Sequence, residues 1–256
     1  MIPGRSNKGP DFQPRTYRQW VRNIDLTTYT VIVEETDCCI STVTNLAGKA
    51  RMSILKYRAI LKKYIASHPS FPTALKPLPI ENDAPQIIKA MTFAGTKAGV
   101  GPMAAVAGAV AELVGRDLAR FSPEVIVENG GDIFLASRQD RIIGIFAGNS
   151  ALSGKIGLKI TAGDSPLGIS TSSGTVGHSL SFGRADAVVV LAETAALSDA
   201  VATAVGNLVL TTRDIPAGLE FARRIEGVTG SLIIKDDQMG AAGAVKLVRT
   251  ELEKTP

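Results

Sequence analysis

Polar and apolar positions alternate around Tyr29, Val31 and Val33, the two-residue period of a strand with one buried face. The stretch 31–43, which carries Cys38 and Cys39, reads as strand as well. The period then lengthens. Over residues 47–66, Met52, Leu55, Ile60, Leu61 and Ile65 recur at near-helical intervals with Lys and Arg between them, predicting an amphipathic helix laid on a sheet. The prolines of residues 69–85 end that unit and read as a loop crossing the domain, a domain boundary being the alternative. Helices are predicted over 84–96 and over 102–118, where Pro102 suits a first turn. The second of these holds Ala104, Ala105, Ala107, Gly108, Ala109 and Ala111, so its backbone can approach a neighbour closely. Strands are expected over 124–128, 132–136, 141–147, 157–161 and 187–192, then helices over 198–209 and 215–225, and last strands at 231–234 and 244–248. Hairpin-like pairs mixed with helices indicate the α+β class, with mixed β-sheets packed with α-helices.

Length and composition narrow the picture. A chain of 256 residues buries roughly 70–75% of its unfolded surface around one core. Residues 1–14, rich in Gly, Pro, Asn and Lys, read as a mobile lead-in, and residues 15–256 as one domain. Aromatic residues make up only 5%, so the core must come from Ala, Val, Ile and Leu. The net charge is +4, with Arg5, Lys8, Arg15, Arg18 and Arg22 gathered near the start. No nucleic-acid motif accompanies them, and nucleic acid is not an expected partner. Cys38 and Cys39 are adjacent on a strand and point to opposite faces, which makes a bridge between them strained and reduced thiols the expectation. Glu112, Arg116 and Asp117 interrupt an apolar run too short to span a membrane, and nothing near the first residue resembles a signal peptide. A cytoplasmic protein with no membrane partner is expected.

Three stretches carry candidate chemistry. Glu128-Asn129-Gly130-Gly131-Asp132 is a hairpin signal in which two carboxylates flank backbone without bulk, where a phosphate or a cation can press close. A tight turn and nothing more is the plainer reading. From Gly168 to Ser179, Ser and Thr hydroxyls and glycine amides are dense enough to cradle an anion, with Thr171, Ser172, Ser173, Gly174 and Thr175 at the centre. His178 follows, with ligand contact, proton transfer and a structural role all open. At the third stretch, Ser198 or Asp199 can cap a helix, yet Asp199 and Thr203 are four residues apart and share a face, offering a carboxylate and a hydroxyl to a hard cation such as Mg²⁺. No P-loop or dinucleotide fingerprint occurs.

Arg15-Thr16-Tyr17-Arg18, Glu35-Thr36-Asp37, the run from Gly99 to Gly108, Glu128 to Asp132, Asp199 to Asn207 and above all TSSGTVGHSLSFGRADA, from Thr171 to Ala187, resemble the UPF-type family placed beside ApbE in the ApbE-like superfamily. The resemblance implies an ApbE-like fold and associates the chain with sulfur assimilation toward homocysteine, a reading whose thiol chemistry would draw on Cys38 or Cys39. ApbE itself is a Mg²⁺-dependent flavin transferase that splits FAD and attaches FMN to a Ser or Thr of a partner protein. By this likeness Asn129, Gly130, Gly131 and Asp132 match its flavin-contacting turn. Asp199 and Thr203 match its metal ligands, and His178 matches the His of its His-x-x-Asp-Pro motif, which makes His178 and Asp199 the catalytic candidates. Two departures stand out. Ser181 and Phe182 replace Asp-Pro, and Ala107-Gly108-Ala109 replaces Lys-Gly-Tyr, which removes a cation from the expected site. Glu112 can stand in for the acid that ends that motif. The implied ligands are FAD or FMN with Mg²⁺, or another anionic small molecule. A partner protein and a homodimer fit the likeness, and a non-catalytic binding module is the remaining alternative.

Overall fold

The computed structural model describes residues 25–148, 150–174 and 183–250. The expected lead-in, Thr175 and His178 lie outside the described residues. Strands β1 (Thr27–Val33) and β2 (Thr36–Thr42) form a hairpin, followed by helices α1 (Ala47–Ser67), α2 (Gln86–Ala98) and α3 (Val106–Leu118). Next come β3 (Val125–Asn129), β4 (Asp132–Ala136), β5 (Arg141–Gly144), β6 (Ile156–Ile160), β7 (Leu167–Ser172) and β8 (Ala187–Ala192). Helices α4 (Ala195–Leu208) and α5 (Ile215–Arg223) precede β9 (Val228–Lys235), β10 (Gln238–Gly243) and β11 (Leu247–Arg249).

Eight strands make one sheet in the order β1-β2-β3-β4-β7-β8-β9-β10, and β11-β6-β5 make a smaller one. Each described pairing is antiparallel, and the class is α+β. Alternation assigns the faces. Val125, Val127, Phe134, Val188 and Val190 join the helices in one core. Ile126, Leu135, Ile169, Val189 and Leu232 join Leu158 and Ile160 of the small sheet in a second. Covered on both sides, β8 is buried throughout, as its unbroken apolar sequence requires. Each such Val or Ile contributes about 1.5–3 kcal/mol over an exposed one.

Several elements differ from the sequence expectation. The stretch 31–43 is not one strand: it turns at Glu34, whose φ is 53°, and pairs back on itself with Val33 opposite Thr36. The hydroxyl-rich stretch begins as strand β7, and β10, rich in Gly and Ala, was not expected as a strand. Helix α4 starts at Ala195, because Thr194 and not Ser198 or Asp199 is its cap, accepting a hydrogen bond from Leu197 N at 3.2 Å. Helix α1 is rotated from the expected face. It buries Ala50, Ser53, Ile54, Tyr57 and Leu61, while Met52 is 68% and Leu55 40% exposed. Ala50, Ile54, Tyr57 and Leu61, spaced i, i+4, i+7 and i+11, form the inner side, and Ser53 Oγ on that side donates to Asp117 of α3 at 2.8 Å. Among the described residues no single helix is long and apolar enough to cross a membrane.

Candidate functional site

One row of register crosses the large sheet: Cys38 lies opposite Asn129, Asn129 opposite Asp132, Asp132 opposite Ser170, and Ser170 opposite Val190. Asn129 is two residues from Val127, Asp132 two from Phe134, and both markers belong to the helix-side core, so alternation aims this row at the helices. The row closes with a two-residue turn in which Gly130 and Gly131 have φ of 72° and 102°, values that L side chains rarely adopt. Asn129 and Asp132 are therefore the pair that closes the hairpin. Glu128 belongs to the opposite face and serves the turn, its Oε1 accepting from Gly131 N at 2.8 Å. Thr171 N donates to Gly131 O at 3.1 Å, which ties β7 to the turn. A Cβ placed on Gly131 would meet only Thr171 O, at 3.4 Å, so the space beside the turn is open.

The start of α4 supplies the other wall. Buried Glu112 accepts from Ala195 N at 2.9 Å and from Arg116 Nε at 2.9 Å, so a charge-assisted hydrogen bond clamps the helix N-terminus onto α3. Ser198 Oγ lies 2.7 Å from Ser170 Oγ, and both residues are fully buried. Gly108 N donates to Asp199 Oδ2 at 2.9 Å, and Asn129 Nδ2 donates to Ala107 O at 3.1 Å. The pair Ala107-Gly108 is thus wedged between the turn and α4. Only glycine fits there, since a Cβ on Gly108 would stand 2.1 Å from Ala195 O.

These contacts bring Asp132 and Asp199 into one electrostatic neighbourhood. Burial raises the Asp132 carboxyl well above the usual carboxylate range, the charges of Asp199 and Glu128 add to the rise, and a hydrogen bond with Ser170 opposes it. Burial pushes Asp199 up to about 7 against the lowering pull of the Gly108 and Ala107 amides. Among the described residues neither carboxylate has a cationic partner. Thr203 follows Asp199 by one turn of α4 and is half-buried. No group of three or more His, Cys, Asp or Glu among the described residues is arranged to hold a metal by protein ligands alone.

Of the residues expected at the site, Asn129, Gly130, Gly131, Asp132 and Asp199 come together, with Thr203 on the same helix. Thr171 and Ser172 end β7, half-buried and on opposite faces, and Ser173 and Gly174 follow it. A Cβ on Gly174 would lie 2.2 Å from Gly183 O, so the chain passes itself closely there. Cys38 is fully buried and Cys39 half-buried, and no disulfide joins them. Sequence reading missed the Ser170–Ser198 hydroxyl pair. Its signal was a serine at each of two positions where apolar neighbours predict burial, in the Ile169-Ser170 and Leu197-Ser198 steps.

The helix-covered antiparallel sheet with its small second sheet is the fold of the ApbE proteins. The ApbE protein of Thermotoga maritima matches with a TM-score of 0.56 over 88% of this chain and 97% of that one, at 14% identity. A histidine-to-glycine variant of the flavin transferase ApbE of Vibrio cholerae matches with a TM-score of 0.53 over 85% and 97%, at 11% identity. Within that superfamily the chain belongs to the family described as AbpE bacteria, whose model matches residues 18–224. The UPF0280 protein of Methanocaldococcus jannaschii is 43% identical over 210 residues, 79% of this chain and 85% of its own length. That of Methanopyrus kandleri is 41% identical over 222 residues, 83% and 89%.

Proposed function

We propose that this protein binds a flavin nucleotide or a similar phosphate-bearing small molecule beside the Gly130-Gly131 turn, together with a Mg²⁺ ion at Asp199 and Thr203. The observation that carries the reading is the pair Asp132 and Asp199. Two carboxylates beside an open glycine turn repel a phosphate unless a divalent cation stands between them, and oxygen ligands of this kind suit a hard cation. Mg²⁺ commonly takes one or two carboxylates and completes its shell with water and ligand phosphates, which suits the Asp132 and Asp199 pair. When bound, the ion would neutralise charge on a phosphate oxygen. The chain's own residues do the rest. The glycine turn admits the ligand, Asn129 holds the Ala107 carbonyl in place, and Gly108 N aims Asp199.

We assign proton transfer to His178; the Asp199 carboxyl, pushed up to about 7 without the ion, would give up its proton when it takes the cation. The Lys-Gly-Tyr of ApbE corresponds here to Ala107-Gly108-Ala109, so the charge of that lysine is absent at this position and the bound cation would supply it. Calorimetric titration of FAD and of FMN, each with and without Mg²⁺, tests the reading. Binding that tightens about tenfold or more with Mg²⁺, and loses that dependence in Asp199→Ala, supports it. Absence of binding by both nucleotides removes the flavin reading, and equal binding with and without Mg²⁺ removes the cation.

A further inference from the structure

Helix α1 carries Lys49, Arg51, Lys56, Arg58, Lys62 and Lys63 and no acidic residue. Since its inner side is set by Ala50, Ser53, Ile54, Tyr57 and Leu61, helical geometry fixes what faces out. The outward line runs Gly48, Met52, Leu55, Ala59, Lys62, Ala66, in alternating steps of four and three residues. That is the seam spacing of a helix that packs against a second helix, with Met52, Ala59 and Ala66 at a and Gly48, Leu55 and Lys62 at d. Lys49, Lys56 and Lys63 then occupy successive e positions, and Arg51 and Arg58 occupy g positions on the other flank. The seam is open: Met52 and Leu55 are the exposed apolar residues noted above, and Lys49 Nζ sits 4.2 Å over the ring of exposed Phe121. Glu34, Glu35 and Asp117 pair with Arg58, Lys62 and Lys56. Lys49, Arg51 and Lys63 have no acidic partner among the described residues.

We propose that the outward face of α1 docks an acidic amphipathic helix of another protein. Charge complementarity selects that occupant, because basic e and g positions pair with acidic ones and repel their own kind. A second copy of α1 would bring the same cations to the seam. Residues 1–24 of this chain, with five Arg and Lys against one Asp, carry the same sign. A lipid surface would take the cations, but the stripe has only two large apolar side chains to insert, and its Gly48, Ala59 and Ala66 suit the close approach of a helix instead.

The test uses the full chain and a labelled three-heptad synthetic peptide with Leu at a and d and Glu at e and g, read by fluorescence anisotropy. The expected result is binding that weakens with added salt and falls about tenfold or more, the loss of two well-packed anchors, in the Met52→Asp, Leu55→Asp double variant. A scrambled peptide of equal composition should bind at least about tenfold more weakly, because it presents no continuous seam. Should the double variant lose its circular-dichroism signature, the Lys49→Glu, Arg51→Glu, Lys63→Glu variant, which leaves the ion pairs of α1 intact, must give the same loss. The proposal is overturned if the peptide fails to bind or if the scrambled peptide binds equally. It is also overturned if phosphatidylglycerol vesicles bind through α1 while the peptide does not, or if sedimentation finds an α1-dependent dimer.

Discussion

Replacing Asp199 by Asn tests the electrostatics of the site through stability. Asn keeps an oxygen to accept from Gly108 N, which lies 2.9 Å from Asp199 Oδ2, but cannot ionise. The Asp199 carboxyl rises from 3.8 to about 7 on folding, so at equal pH the folded state holds the proton more tightly than the unfolded chain. Its effect on stability is absent well below pH 3.8, grows as pH rises through that window, and is complete above about 7, where ionisation destabilises the fold. Three pH units correspond to about 4 kcal/mol. Solvent screening of a partly exposed group reduces this, and we expect the Asn variant to gain about 2 kcal/mol relative to wild type between about pH 4.5 and about pH 8. Removing the Asp199 charge also eases Asp132, which acts in the same direction. Urea unfolding at both pH values, with a chelator present, measures the gain. A gain equal at the two pH values, or larger at the acidic one, would mean that folding does not raise the Asp199 carboxyl.

Gly108→Ala should displace the start of α4, since the new Cβ would stand 2.1 Å from Ala195 O; we expect a loss of about 1–3 kcal/mol in chemical denaturation and weaker Mg²⁺-dependent ligand binding. Glu112→Ala leaves the Ala195 amide and Arg116 without their acceptor, and thermal unfolding should report a cost of about 2–4 kcal/mol that Glu112→Gln largely restores. Met52→Ser should change stability by less than about 0.5 kcal/mol, because the side chain faces out, whereas Ile54→Ala at the buried side should cost about 2–5 kcal/mol.

Strong periodicity made most of the fold legible. The helices at 84–96, 102–118 and 215–225 and the strands at 132–136 and 187–192 sit close to α2, α3, α5, β4 and β8, because their apolar runs have nowhere to go but the two cores. The exceptions have physical causes. Around Glu34 no Gly or Pro marks the turn; a glutamate takes the positive φ instead. Helix α1 offers apolar residues on both faces, two rows at helical spacing, and the row that is buried, Ala50, Ile54, Tyr57 and Leu61, is the one whose Ser53 reaches Asp117 of α3. At the site, the glycine turn and the placement of Asp199 and Thr203 on one helix were readable from residue types at fixed offsets. The wedge of Ala107-Gly108 and the Ser170–Ser198 pair were not, since each joins segments far apart in the chain.

Asp199 and the Gly130-Gly131 turn are proposed to border one cation-dependent site. Titrating Mn²⁺ as a paramagnetic stand-in for Mg²⁺ while recording amide resonances tests it most directly. Gly108, Gly131 and Asp199 should broaden first, at similar ion concentrations, and Asp199→Ala should abolish the effect. Broadening confined to surface acids such as Glu220 or Glu226, with the three site amides unchanged, would contradict it.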